Sequence, residues 1–203
     1  MDQDTIKTAL KQAIYQRCST RSYTKEPIQS ELLDEIVDAG RHAPSASNRQ
    51  QTHFLVITNA EKLAELKAVM LKTLSDIDLD VEKGLSPAVR SLSQRAKQGD
   101  DLDVSYGAPT LIVTANKKEY SNAAADCSCA MQNMMLTASA LGLANCWINQ
   151  FFSLGDRPQV REFFEGIGVS KEEEIFGSLA VGYSENLSTT PIPVTGNPVT
   201  YIR

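Results

Sequence analysis

Three features of this 203-residue chain predict an α+β fold, with a mixed sheet surrounded by helices. Its hydrophobic patterns run helix, helix, strand, helix, helix, strand, helix, strand, helix, strand and then a tail, so the two types alternate only loosely. No strand leads into the glycine-rich turn of a dinucleotide-binding βαβ unit, which argues against a doubly wound parallel sheet. One long helical stretch is apolar and alanine-rich enough to be buried on more than one side. At this length one domain is expected, covering residues 1–203.

Each element has its own warrant. Ile6, Ala9, Leu10, Ala13 and Ile14 recur at helical spacing and predict an amphipathic helix over 4–16. Leu32, Leu33, Ile36, Val37 and Gly40 mark a second helix, with Ser30 expected as its N-cap and Glu31 in its first turn. APSASNRQQT, residues 43–52, is small, polar and broken by Pro44, hence a loop. HFLVIT (53–58) is a strand and 60–74 a helix. Residues 75–105 are charged and poorly patterned, an excursion with a helix near 87–98. TLIVTA (110–115) is the next strand. Cys127, Ala130, Met131, Met134, Met135, Ala138 and Leu141 then lie on one stripe of a helix over 121–142, which Gly142 should stop. From Ser121 to Gly155 the only charge is Asp126, so this helix is either central to the domain or packed on a second subunit. CWIN (146–149) reads as a short strand, 156–165 as a helix and 175–183 as the last strong strand. The final residues, 184–203, form a polar tail ending in the strand-like VTYI (199–202), expected to dock on something.

Composition narrows the function. A net charge of −5 argues against a nucleic-acid or anionic-membrane partner, because both require a cationic face. No run of roughly 18 apolar residues is uninterrupted, and MDQDTIKTALKQ lacks the apolar stretch of a signal peptide, so a cytoplasmic location is expected. Cys18, Cys127, Cys129 and Cys146 lack the spacing of a zinc site, and with only His42 and His53 beside them no metal centre is expected. They read as buried, reduced thiols.

The informative feature is local charge. Between Asp4 and Glu26 stand Lys7, Lys11, Arg17, Arg21 and Lys25 and no acid. Arg17, Ser19 and Arg21, within RCSTR, have the spacing to clamp a phosphate or the electron-rich edge of a planar ligand. The alternative is that the two arginines simply interact favourably with a helix C-terminus. Pro44, Ser45, Ser47, Asn48, Gln50 and Gln51 present hydroxyls and amides on one loop, either as a multipoint ligand contact or as a solvated connection.

Together, RCSTRSY and APSASNRQQTHFLVI resemble the FMN-dependent nitroreductase family, which opens with R-x-S-x-R and continues with A-P-S-x-x-N-x-Q. The resemblance extends through YGAPTLIVTA (106–115), ADCSCAMQNMMLTASALGLANCWINQ (125–150) and GSLAVGY (177–183), and is weakest over 70–105. It implies a central, mostly antiparallel sheet flanked by helices in an obligate homodimer. The C-terminal tail of each subunit would be swapped onto its partner, and FMN would lie between the two chains. Arg17 and Ser19, with Cys18 between them, match positions at the FMN phosphate and ribityl end, and Arg21 matches the pyrimidine edge. Pro44, Ser45, Asn48 and Gln50 would approach the flavin from the partner. Asn149 and Gln150 match the segment whose backbone N–H meets flavin N5. No protein acid or base is implied, and His42 and His53 read as structural.

Three departures stand out. Gln50-Gln51-Thr52 replaces the family's frequent Q-P-W. The tail stretch PIPVTGNP (191–198) lacks the basic residues that many members bring to the phosphate. The 70–105 excursion, part of the substrate pocket in such proteins, carries no recognisable motif. The implied activity is hydride transfer from NAD(P)H, through FMN, to a small nitroaromatic or quinone-type acceptor in a ping-pong cycle. Rival readings are reductive dehalogenation, dehydrogenation or flavin turnover on the same fold, or a flavin-binding protein with little catalytic role.

Overall fold

A computed structural model of the chain describes residues 2–188 and 190–203. The fold is α+β. Four strands, β1 (His53–Ile57), β2 (Thr110–Lys117), β3 (Ala144–Trp147) and β4 (Glu173–Gly182), lie in the order β1-β2-β4-β3, and every pairing is antiparallel. A single parallel bridge, Ser19 to Asn145, brings the RCSTR segment alongside β3. The helices are α1 (Gln3–Gln16), α2 (Ser30–Arg41), α3 (Ala60–Asp76), α4 (Pro87–Lys97), α5 (Ala123–Ala140), α6 (Gln150–Ser153) and α7 (Pro158–Gly166).

The two-residue period of the central strands sends alternate side chains to opposite faces. Leu111, Val113 and Ala115 of β2 and Ala180 of β4 join the core beneath α3, α4, α6 and α7. Ile112, Leu179 and Val181 join the core formed with α2 and α5. Because both faces are covered, β2 and β4 read as continuous apolar runs and not as alternating ones. On the second face α2 and α5 approach closely at Gly40, where an added Cβ would lie 2.9 Å from Met134 Cγ.

Most expected elements appear within two residues of their predicted limits, and the differences have local causes. Ser30 is the first helical residue and not the N-cap. Gln29 takes that position, since its carbonyl accepts from Leu32 N (3.1 Å) and Leu33 N (3.2 Å). Gly142 does stop α5, with φ +75° and its N–H bonded to Ser139 O at 3.1 Å. The third strand begins at Ala144, earlier than CWIN suggested, and Asn149 instead caps the short helix α6, which four residues of sequence are too few to announce.

The 77–86 loop is less irregular than its composition. Arg90 donates to Leu79 O (3.1 Å) and Glu82 O (3.0 Å), and Glu82 pairs with Arg157, the N-cap of α7. That guanidinium, by hydrogen bonding, holds the Glu82 carboxyl below its usual range.

Two stretches with apolar patterns find no covering face among the described residues of the single chain. The apolar stripe of α1, Ile6, Leu10 and Ile14, is exposed, and the helix buries none of its residues. VTYI forms no strand with the described residues of its own chain, and Ile192, Val194, Val199, Tyr201 and Ile202 of the tail are exposed. Of the four thiols, Cys127 and Cys146 are buried, Cys18 is half-buried and Cys129 is exposed, which corrects the reading of all four as buried. The helical period explains this, since Cys129 lies two residues from Cys127 and so on another side of α5.

Candidate functional site

Most of the expected site residues fall into two clusters, one around Arg17 and Cys18 and one on the 43–52 loop, and the cavities at these two places share no lining residue. The first lies where α1 ends. Arg17 is the C-cap of α1, with extended ψ, so the chain leaves the helix there and runs on to β3. Thr20 N donates to Asn145 O at 3.0 Å and fixes that path. Arg17 and Cys18 line a cavity of about 250 Å³ together with Ser139 and Ala140 of α5, Asn145, and Leu187 and Ser188 of the tail. The Cys18 thiol donates to Ser188 O (3.2 Å) and fastens the start of the tail.

Arg17 Nη1 is buried and has no hydrogen-bond partner among the described residues. A cationic donor held out of water without an acceptor costs more than it contributes, so this nitrogen calls for an anionic acceptor from outside. Ser19 is half-buried beside it, and Arg21 is exposed, its Cζ 5.9 Å from the centre of the Tyr106 ring. Behind them Tyr23, largely buried, donates its hydroxyl to Thr20 O (2.8 Å) and Ala180 O (3.2 Å). Burial pushes the Tyr23 phenol up, and burial likewise raises the Cys146 thiol against the opposing pull of Arg21. Both groups are therefore neutral at pH 7, and the cluster's formal charge is that of its arginines.

The second cluster is the 43–52 loop. Pro44, Ser45, Asn48 and Gln50 line a cavity of about 490 Å³ with the C-terminal end of α2 and with Asp126 and Ala130 of α5. Ser47 (φ 54°), Asn48 (φ 52°) and Gln50 (φ 52°) are left-handed, a conformation that L side chains hold only when the surroundings impose it. Ser45 Oγ accepts from Gln50 N (3.0 Å), and Gln50 Nε2 donates to Asn48 Oδ1 (2.9 Å).

Asp126 supplies the external hold. It is 5% exposed, and its carboxylate accepts from Ala46 N (3.1 Å) and from the Tyr120 hydroxyl (3.0 Å). Arg49 lies over the Tyr120 ring at 5.0 Å. Asp126→Ala strands both donors, at about 1–3 kcal/mol for each buried one. Chemical unfolding should show a loss near ~2 kcal/mol, with faster backbone exchange confined first to 45–50. An unchanged midpoint would mean that the loop is held elsewhere.

Asn149 and Gln150 stand apart from both cavities, at the exit of β3. Asn149 is exposed and Gln150 half-buried, and the first-turn N–H groups of α6 have no intrahelical acceptor. Their position is fixed from β4, because Ile148 N donates to Ser178 O (2.8 Å) and Ser178 Oγ donates to Ile148 O (2.7 Å). Of the two histidines, His42 lines the larger cavity and His53 opens β1. His42 Nδ1 lies 2.8 Å from Asp38 O, and His53 Nδ1 lies 3.1 Å from Glu173 Oε2.

Sequence reasoning missed Asp126 and Tyr106 as parts of the site. Asp126 was visible as the sole charge in an apolar run, a pattern that marks a buried, fully bonded carboxylate. Tyr106 precedes a glycine just before a strand, which signals a turn but not what its side chain faces.

The family model for the nitroreductase family matches residues 14–183. A nitroreductase with bound FMN from Bacteroides fragilis superposes with a TM-score of 0.83 at 30% identity, over 96% of this chain and 98% of that one. A second nitroreductase with bound FMN, from Desulfitobacterium hafniense, gives 0.78 at 25% identity, over 96% and 98%. The 4-nitrobenzoate reductase of Pseudomonas putida is 27% identical over 199 residues, 85% of this chain and 84% of that protein. The chain belongs to the nitroreductase family and has its fold; it is an oxidoreductase of that family.

Proposed function

We propose that the chain is an FMN-dependent oxidoreductase that takes a hydride from NAD(P)H and reduces a small electrophilic acceptor of nitroaromatic or quinone type. One observation carries the cofactor reading: a buried Arg17 nitrogen without an acceptor among the described residues, beside Ser19 and Arg21. These donors suit a phosphate at one end and an electron-rich ring edge at the other. In this reading Arg17 and Ser19 hold the phosphate, Arg21 faces the pyrimidine edge, and the backbone at Asn149 and Gln150 meets N5. The chemistry FMN supplies when bound is acceptance of a hydride and its onward release, as an electron pair with protons, to the acceptor.

The site is completed by a second copy of the chain. Pro44, Ser45, Asn48 and Gln50 lie in a different cavity from Arg17 and Cys18, so one chain offers two half-sites. The exposed apolar stripe of α1 and the exposed tail supply surface for the pairing. NAD(P)H and the acceptor would occupy one site in turn, a ping-pong cycle in which no protein acid or base is required for the hydride step.

A second reading, a flavin-binding protein with little turnover, has one observation in its favour: between Ser184 and Ile202 the tail has no lysine or arginine. The purified protein should be yellow, or become so on addition of FMN, and NADH or NADPH should bleach it without oxygen. A protein that stays colourless with FMN overturns the cofactor. One bleached by dithionite but by neither nicotinamide favours the second reading.

A further inference from the structure

The segment Asp103–Pro109 is built with more care than a connection requires. Tyr106 has φ +59° and Gly107 φ +72°, so two successive residues are left-handed, and Ala108 N closes the turn onto Ser105 O at 3.2 Å. Such a turn favours Asn or Gly at its first left-handed position, and an aromatic residue there is strained by about 1 kcal/mol or more. The surroundings hold the strain. Asp103 accepts from Ser105 N (2.8 Å) and Gly107 N (3.2 Å), and Lys25 Nζ donates to Gly107 O (3.2 Å). Pro109 then seats against Gly182, where an added Cβ would lie 2.7 Å from the proline ring.

What this turn presents is the Tyr106 ring, 37% exposed, beneath the Arg21 guanidinium at 5.9 Å. Among the described residues Arg21 forms no ion pair with a carboxylate. Its other near neighbours, Tyr23 and Cys146, are neutral, and the Tyr106 hydroxyl beside it further favours the charged form. An exposed arginine with no fixed partner samples many rotamers, and ordering one costs up to about 2 kcal/mol. A rigid aromatic surface lowers that cost without neutralising the charge.

We propose that Tyr106 is a positioning residue, which stacks on Arg21 and holds its charge where a flavin's pyrimidine edge would lie, and so raises the flavin's reduction potential through Arg21. This rests on the FMN reading above.

The test compares FMN-loaded wild type, Tyr106→Ala, Tyr106→Phe, Arg21→Ala and the Arg21→Ala/Tyr106→Ala double variant, with the midpoint potential and the FMN dissociation constant as readouts. Tyr106→Ala should lower the potential in the same direction as Arg21→Ala. It should also weaken FMN binding about twofold to fivefold, the worth of one exposed cation–π contact. Tyr106→Phe keeps the ring but not the hydroxyl and should stay closer to wild type than to Tyr106→Ala, and the double variant should add nothing to Arg21→Ala. A Tyr106→Ala potential equal to wild type, with Arg21→Ala shifted, overturns the inference and leaves the FMN reading standing. A Phe variant as shifted as the Ala variant overturns the stacking. Wild-type protein that binds no FMN overturns the FMN reading itself, and with it the inference.

Discussion

Arg21→Ala is expected to lower the midpoint potential of bound FMN and to slow its reduction by NAD(P)H, while the fold is retained. Two-electron reduction of a flavin places negative charge at N1 and the C2 carbonyl, and a cation nearby stabilises that state over the oxidised one. Arg21 is exposed, so its effect is screened. A charge pair near a surface is worth about 1–4 kcal/mol at contact, and solvent exposure places this one in the lower half. For a two-electron couple that is a fall of about 20–50 mV. The side chain buries little and forms no ion pair among the described residues, so thermal unfolding should change by less than about 0.5 kcal/mol. Potentiometry against a reference dye gives the answer, and an unmoved potential would remove Arg21 from the flavin's edge.

In the proposed homodimer, removal of residues 190–203 should convert dimer to monomer and abolish FMN retention. Residues 184–188 are fastened to their own chain, through Cys18 and Ser188 and through Ser22 and Ser184. From residue 190 to 203 the chain is exposed, including Ile192, Val194, Val199, Tyr201 and Ile202. Burial of one such side chain is worth about 1.5–3 kcal/mol before ordering costs. Loss of the set should raise the dimer dissociation constant at least about a hundredfold, equivalent to ~2.7 kcal/mol. Sedimentation should show full-length protein at twice the 22.2 kDa of the chain and the truncated form at once that mass. A truncated protein that remains dimeric and yellow would place the subunit contact elsewhere.

The parts of this protein that sequence discloses are those in which a local period meets a buried face. TLIVTA and IFGSLAVGY were legible as strands because β2 and β4 are covered on both sides and are mostly apolar there, while buried Thr114 and Ser178 donate to the backbone carbonyls of Gly177 and Ile148. Gly142 announced the end of α5 because only a residue without a Cβ takes its left-handed φ cheaply. VTYI and the α1 stripe carry the same patterns yet find no face within the chain, since periodicity reports that a surface is to be buried and not against what. RCSTR and APSASN could be named from sequence as candidate ligand-binding segments, and the resemblance alone implied that they meet from different chains; that they line two separate cavities of one chain depends on where α2, α5 and β3 pack. Asp126 stood out as a lone charge, but its hold on Ala46, like that of Tyr106 on Arg21, joins residues far apart in sequence, and no local spacing encodes that.

The exposure of Cys129 on α5 gives the protein an internal reporter of its own assembly. The other three thiols are buried or half-buried, so a bulky thiol reagent meets this one first. Around it the helix presents Ala124, Ala125 and Gln132, a low, nearly uncharged surface against which a second chain could close. If α5 lies in the subunit contact, the labelling rate at Cys129 becomes a measure of association that falls with protein concentration, read from the native chain without any added probe site.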